Sequence, residues 1–327
     1  MSKDKPLVSI WMPSYYAGNY IAEAIESVLC QKTDYPYEIV INDDASGDNT
    51  WDVILEYAKK YPDIIHAVRN EKNLGLSANV LATKKRCRGK YIVNLSGDDY
   101  WICDTKIQMQ ADFLEKHPEY IGVGTQVECR YDDEKTAFAM RPSAAKLGKD
   151  YTVSSYERGI NLPSHGFMMR NIFSDPEKKE IIDGIYKLCA SIDDLFDPLL
   201  YLRFGRIYLL PESTAVYRVH REKKGRKNFN SSLSALPKVL NVLDGYNHVD
   251  ALGFQVDLHS RYVEVFNLVI LGALQALKPG TIVQAYKTLP PKYRIPWKTS
   301  VGRRCLLTVF RDGFNYVKRK IKIKLKK

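Results

Sequence analysis

An α/β fold built on a mainly parallel sheet is what this 327-residue chain predicts. Three observations carry the prediction. Short β-type apolar runs alternate with stretches of helical periodicity through the first third of the chain, which is the pattern of βαβ units. Three of the β-type runs end in polar or acidic residues, where an open sheet would present its strand ends. An apolar content of 45% suffices for one large core or two modest ones.

The first strand is expected over Leu7 to Met12, closed by Pro13 and Ser14. A helix follows over Tyr20 to Leu29, with Ile21, Ala24, Ile25 and Val28 on one face. A second strand, Glu38 to Ile41, runs into Asn42-Asp43-Asp44-Ala45-Ser46. The next helix spans Thr50 to Lys60 on a stripe of Trp51, Ile54, Leu55 and Ala58. A short strand near Ile65 to Val68 leads through Asn73-Leu74-Gly75 into a helix near Ser77 to Arg86. The fourth strand (Tyr91, Ile92, Val93, Leu95) stops at Ser96-Gly97 and delivers Asp98 and Asp99, followed by Tyr100 and Trp101. Met140 to Lys149 and Tyr151 to Arg158 read as loops. Ile207 to Leu210 reads as a strand, and Ala215 to His220 follows it. From about Asn228 helical patterns dominate, at Leu233 to Leu243 and Tyr262 to Leu277. The expected division is therefore a catalytic domain over 1–225 and a helical extension over 226–327.

Composition narrows the function. The net charge of +11 is concentrated at the C-terminus: from Arg303 onward there are ten Lys and Arg against Asp312 alone, so the body is nearly neutral and needs no polyanionic partner. Six cysteines are scattered without a CxxC pair, and the opening MSKDKPLVSI has no signal-peptide core. Both point to a reducing, cytoplasmic setting and away from structural zinc. The longest apolar stretch is broken by Glu264, Asn267 and Gln275, and no transmembrane helix is expected. Neither GxGxxG nor GxxxxGK[ST] occurs, against a dinucleotide oxidoreductase or a P-loop enzyme.

The acids at the strand ends are the functional signal. In a doubly wound sheet the carboxyl ends of the strands share one edge, so Ser14, Asp43, Asp44, Asp98 and Asp99 are expected around one crevice. Carboxylates there suit base, ribose and divalent-cation recognition, which together make a nucleotide site. The plainer reading of Asp43 or Asp44 is a helix N-cap, and that of Asp98-Asp99 an acidic turn.

The segments VSIWMPSYYAGNYIAEAIESVLCQ, YEIVINDDASGDNTW and KNLGLSANVLATKKRCRGKYIVNLSGDDYW, in this order and spacing, resemble the N-terminal half of a family 2 glycosyltransferase with the GT-A fold, over roughly residues 7–120. The resemblance implies inverting transfer of a sugar from a nucleotide diphosphate donor, assisted by Mg²⁺ or Mn²⁺. It puts Pro13, Ser14, Tyr15, Asp43, Asp44, Asn73, Gly75, Asn79 and Asp98 in the donor site, with UDP the favoured nucleotide. Many members carry an acid two residues before the pair, where this chain has Ser96. The metal assignment therefore rests on Asp98 and Asp99, with Asp99 taken as the direct ligand and His220, closing a YRxH run, as a further candidate. SGDDYW, with Lys106 and Gln110 after it, also resembles a bacterial subgroup.

Inverting transfer needs a base at the acceptor hydroxyl. Counting back from Gly205-Arg206, as the resemblance directs, reaches Asp194, with Asp193 as the alternative; both also suit a helix N-terminus. His165 is a secondary candidate, and His66, His117, His248 and His259 read as surface or packing residues. A saccharide or lipid-linked acceptor in cell-surface polysaccharide synthesis follows from the same resemblance. Two alternatives stay open: a sugar-nucleotide-binding scaffold without turnover, and a nucleotidyltransferase, although the glycine-rich basic loop of the latter is missing after the first strand.

Near the C-terminus, Phe310, Phe314, Val317, Ile321 and Leu325 fall on one helical face among Lys and Arg. This suits the surface of an anionic membrane. A solvated basic tail is the plain alternative, and nucleic acid is not expected as a partner. The full chain should therefore co-sediment with anionic liposomes at low salt and be released by salt; recovery in the supernatant at low salt would rule the membrane role out.

Overall fold

The protein is described by a computed structural model, over residues 6–160, 162–188, 196–220, 235–249, 255–275 and 280–291. Strands β1 (Val8–Ser14), β2 (Tyr37–Asp43), β3 (Ile65–Arg69) and β4 (Tyr91–Asn94) alternate with helices α1 (Ile21–Leu29), α2 (Thr50–Lys60) and α3 (Leu76–Arg86). The expected elements are present here, most of them within two residues of their predicted ends. All four strands pair in parallel, in the order β3-β2-β1-β4. The core explains why the periodicity was legible: Ile21, Ala24, Ile25 and Val28 of α1 are buried against Ile10, Met12, Ile39 and Ile41, which lie within the sheet.

Past β4 the sheet becomes mixed, with β6 (Tyr120–Tyr131) and β10 (Arg206–Val219) still paired in parallel. After the two-residue β5 (Tyr100–Trp101) come α4 (Lys106–Lys116), β6 (Tyr120–Tyr131), β7 (Ala139–Arg141), β8 (Lys149–Tyr151) and α5 (Val153–Glu157). Then follow β9 (Met168–Arg170), α6 (Lys179–Leu188), α7 (Asp197–Leu202) and β10 (Arg206–Val219). Among the described residues the strands form one ten-stranded sheet, continuing from β4 as β9-β6-β10-β5, with β7 on β6 and β8 on β10. β9 is antiparallel to both β4 and β6, and β5 is antiparallel to β10. The sheet is thus mixed, its second half combining these antiparallel pairs with the parallel pair of β6 and β10.

Three expectations change in this half. The twelve-residue β6 was not anticipated. The stretch expected as loops from Met140 to Arg158 holds β7, β8 and α5. The two runs after Gly205 are one strand, β10, whose register against β6 shifts near Leu209 and Ser213.

The chain divides into two compact units, one comprising residues 1–156 and 160–232 and the other 157–159 and 233–327. Within the second, α8 (Ala235–Val249), α9 (His259–Gln275) and α10 (Gly280–Thr288) carry its described helical content. Tyr262 of α9 donates to Asn247 of α8 at 3.0 Å and packs on Tyr246, while Phe266 meets Tyr286 of α10. The basic, amphipathic stretch at 310–325 lies outside the described residues.

One buried charge pair braces the first unit. Lys84 of α3 has a fully buried side chain and donates to Asp197, at the start of α7, at 2.5 Å. It also donates to the hydroxyls of Tyr186 and Tyr201 at 2.7 and 3.1 Å, and both tyrosines donate to the same carboxylate. The ring of Trp11 lies 4.6 Å from the ammonium. Ammonium and carboxylate are thus desolvated together, and removing one strands the other. Lys84→Met is expected to lower unfolding free energy by about 3–5 kcal/mol in chemical denaturation. The double variant Lys84→Met with Asp197→Leu should recover much of that loss; equal losses in both variants would contradict the coupling.

Candidate active site

The parallel half of the sheet gathers its polar residues at one edge. β1 ends at Ser14 opposite Asp43 of β2, and β4 leads into the turn Ser96 to Asp99. Neither Asp43 nor Asp44 caps α2, whose N-cap residue is Asn49. Asp43 is fully buried and accepts from both the backbone N–H and the hydroxyl of Ser46, with Arg69 at 3.2 Å. Burial raises its pKa, which Ser46 and Arg69 oppose. Ser46 then accepts the N–H of Tyr16, and Thr50 accepts that of Ala17, which clips the β1 loop to the β2 loop. Tyr16 and Ala45 take left-handed backbone conformations, at φ 53° and 57°. Such conformations cost energy in residues with a Cβ and persist where surrounding bonds hold them.

Asp44 clamps a third segment. Its two carboxylate oxygens accept from the N–H groups of Leu74 and Gly75, at 2.8 and 2.9 Å, and from Asn70 at 2.8 Å. Gly75 turns at φ 85°, so the turn into α3 favours a residue without a side chain. Asn79 is buried and joins the clamp, accepting from Asn70 and donating to the carbonyl of Asn42. Of the residues expected around a donor, Tyr15 and Asn73 are exposed, Pro13, Ser14, Asp43, Asp44 and Asn79 are buried, and Gly75 shapes the turn into α3.

The second acid pair divides its tasks. Gly97 is pinned where a Cβ would lie 2.8 Å from both Ser14 Oγ and Ile21 Cδ1, and the turn closes with the Asp99 N–H on the Ser96 carbonyl. Asp99, expected as the direct metal ligand, is turned inward with 1% exposure. One of its oxygens accepts the Arg218 backbone N–H at 2.6 Å, and the other lies 2.7 Å from His165 Nε2. Asp98 points the other way, with 42% of its side chain exposed and one oxygen 3.1 Å from His220 Nε2. Desolvation pushes its pKa up, but the His220 hydrogen bond and the charge of the two histidines outweigh this and hold it below the usual carboxylate range. His220 Nδ1 lies 3.5 Å from Asp132, and its ring packs against Tyr20.

His165, a secondary candidate in the sequence, and Arg218, which the sequence does not single out, are therefore central. Alternation along β10 was the available signal for Arg218, since positions 218 and 220 share one face of a strand. His165 offered none, because its short 3₁₀ turn (Ser164–Gly166) meets the acid pair only through the fold. The carbonyl of Gly166 anchors that turn, accepting from Gln110 and Thr125 at 2.8 and 3.0 Å. Burial lowers the His165 pKa to about 4, helped by Lys106 and opposed by Asp98. The ring is then neutral at pH 7, with Nε2–H donating to Asp99 and Nδ1 facing the Asn94 amide at 3.3 Å. Lys106 is itself fully buried, donates to Thr214 at 3.0 Å, and has its pKa brought down to about 7 by desolvation. Asp193 and Asp194 lie outside the described residues.

Comparison with known proteins gives a consistent picture. Residues 9–175 match the family described as Glycosyl transferase family 2. TuaG of Bacillus subtilis, provisionally named a teichuronic acid biosynthesis glycosyltransferase, is 38% identical over 114 residues, which are 35% of this chain and 44% of TuaG. Among solved structures, Staphylococcus aureus TarS residues 1–349 in complex with UDP-GlcNAc superimpose with a TM-score of 0.59 at 16% identity, covering 88% of this chain and 82% of that one. The Pyrobaculum calidifontis mannosyltransferase PcManGT, in complex with GDP-Man and Mn²⁺, gives a TM-score of 0.52 at 15% identity, covering 95% and 87%. The GT-A likeness to these structures is one of fold.

The buried lysine has a measurable consequence. Its pKa falls from 10.5 to about 7 on folding, so between those values the unfolded chain binds the extra proton and stability rises with pH. Lys106→Met removes that term. The wild type should therefore gain stability relative to the variant from pH 7 to pH 10 in denaturation experiments, and a pH-independent difference would show that Lys106 is charged in the fold.

Proposed function

This chain belongs to glycosyl transferase family 2, and on that premise we propose that it is a metal-dependent inverting transferase that moves a sugar from a nucleotide diphosphate donor to a saccharide or lipid-linked acceptor. The observation that carries the reading is the outward carboxylate of Asp98, facing His220 at 3.1 Å on the strand-end edge that also holds Tyr15 and Asn73. UDP is the preferred donor nucleotide in this reading; TarS with UDP-GlcNAc supports it, while PcManGT with GDP-Man keeps guanosine in the test. A role in cell-surface polysaccharide synthesis is supported by the name of TuaG. Attachment to an anionic membrane would rest on the basic C-terminal segment.

The donor set suits Mn²⁺ or Mg²⁺. No cluster of three or more metal-ligating side chains occurs among the described residues. Asp98 with His220 offers one carboxylate oxygen and one imidazole nitrogen, and such cations are commonly held by one or two protein ligands plus substrate phosphates. Bound there, the ion would neutralise charge on the departing diphosphate. Tyr15 and Asn73, at the loops clamped by Asp43 and Asp44, would seat the nucleoside. The acceptor hydroxyl attacks the anomeric carbon from the face opposite the diphosphate, its proton passing to a carboxylate while the glycosidic oxygen leaves with the nucleotide. We assign that carboxylate to Asp194, with Asp193 as the alternative.

Incubation of UDP- and GDP-sugars with Mn²⁺ should release the nucleoside diphosphate. Nucleoside triphosphate formed from pyrophosphate would instead indicate a nucleotidyltransferase, and donor binding without release a scaffold. Asp98→Asn should lower both turnover and Mn²⁺-dependent donor affinity. Asp194→Asn should lower turnover by about 10²-fold or more with donor binding intact; near-wild-type turnover would move the base elsewhere.

A further inference from the structure

Arg218 touches both members of the Asp98-Asp99 pair, and every face of its guanidinium is engaged. Its backbone N–H donates to the Asp99 carboxylate at 2.6 Å, and its Nη1 donates to the Asp98 carbonyl at 2.7 Å. Nη2 reaches the carboxylate of Glu23 on α1 at 2.6 Å. The flat faces are covered by Tyr20 and Tyr100, whose ring centroids lie 4.7 and 4.8 Å from the guanidinium carbon. Tyr100 is held in turn, its hydroxyl accepting from Arg130 at 3.2 Å, and Arg130 is paired with Glu128. The Arg218 side chain is 8% exposed.

We propose that Arg218 is the positioning residue of the acidic turn. Its guanidinium holds the carbonyl of Asp98 while its backbone N–H holds the carboxylate of Asp99, which sets the direction in which the Asp98 carboxylate leaves the turn, and the guanidinium anchors that direction to α1 through Glu23. It does not itself bind phosphate, since reaching outward would break two charge-assisted hydrogen bonds and a double stack. Lysine cannot replace it: a single ammonium lacks the planar fork that serves two separate acceptors while both faces are stacked. The inference rests on the transferase reading for its consequence in turnover, but its geometric content is independent of that reading.

The test compares wild type, Arg218→Lys, Glu23→Gln and the double variant. Mn²⁺ binding in the presence of UDP is followed by the electron paramagnetic resonance signal of free Mn²⁺, UDP binding without metal by calorimetry, and turnover by nucleotide release. Arg218→Lys should weaken Mn²⁺ binding and lower kcat by about 10–100-fold, as loss of a group orienting a metal ligand does, with metal-free UDP affinity within about twofold of wild type. Glu23→Gln, whose carboxylate is partly exposed, should shift the same readouts in the same direction by less. In the Arg218→Lys background it should add almost nothing, because the two act through one contact. Wild-type Mn²⁺ binding and kcat in Arg218→Lys would overturn the proposal, and an equal fall in metal-free UDP affinity would make Arg218 a phosphate ligand instead. Should Arg218→Lys not fold, Glu23→Gln with wild-type Mn²⁺ binding and kcat would overturn it as well. Wild-type protein that releases no nucleotide from any sugar donor would remove the transferase reading, while the Mn²⁺ and UDP measurements would still decide the role of Arg218.

Discussion

The carboxylate of Asp99 is the constraint on which the site depends. A group with 1% exposure must have its oxygens satisfied inside the protein. The donors come from β10, through the Arg218 N–H, and from the 3₁₀ turn that carries His165. Segments distant from Asp99 in the chain, one of them 119 residues away, are thereby brought to one turn. Because Asp99 faces inward, its neighbour Asp98 faces outward, and because β10 is placed by that contact, His220 two residues further on meets Asp98. The outward geometry of the pair follows from the inward bond.

A similar economy governs the neighbouring strand end. Asp43 and Asp44 hold Ser46, Arg69 and the loop through Gly75, and the left-handed residues Tyr16 and Ala45 stand where those bonds fix the backbone. Of the four acids at the strand ends, Asp43, Asp44 and Asp99 are buried and hold loops in place. Only Asp98 retains substantial exposure among them. Acidity at a strand end is therefore no direct sign of ligand contact. A polar group buried at the base of a loop and one presented at its rim share a composition and differ in orientation.

Lys84 and Lys106 illustrate how much polar chemistry the first unit keeps in its interior. Lys84 is paired with a carboxylate and two phenols, so its charge is compensated. Lys106 has a hydroxyl partner in Thr214 and lies in the first turn of α4, where the helix dipole also disfavours a cation. Burial then resolves the conflict by lowering its pKa. In the sequence both are ordinary lysines on amphipathic helices.

The parallel half of the fold was legible because its information is local. The helical stripe of α1, the apolar runs of β1, β2 and β4 and their polar ends are written in residues close together, and the family motifs lie on the same segments. The second half was not, since β6, β9 and β10 find their partners across long stretches of intervening chain, and which strand pairs with which is not written in any one of them. By itself the sequence determined which acids, histidines and basic residues were available and which strands would carry them. Only the tertiary structure decided that Asp99 turns in and Asp98 out, that Arg218 and His165 converge on them, and that Asp44 clamps a loop. Those outcomes depend on satisfying buried polar groups between distant segments, and that requirement has no expression in any single stretch of chain.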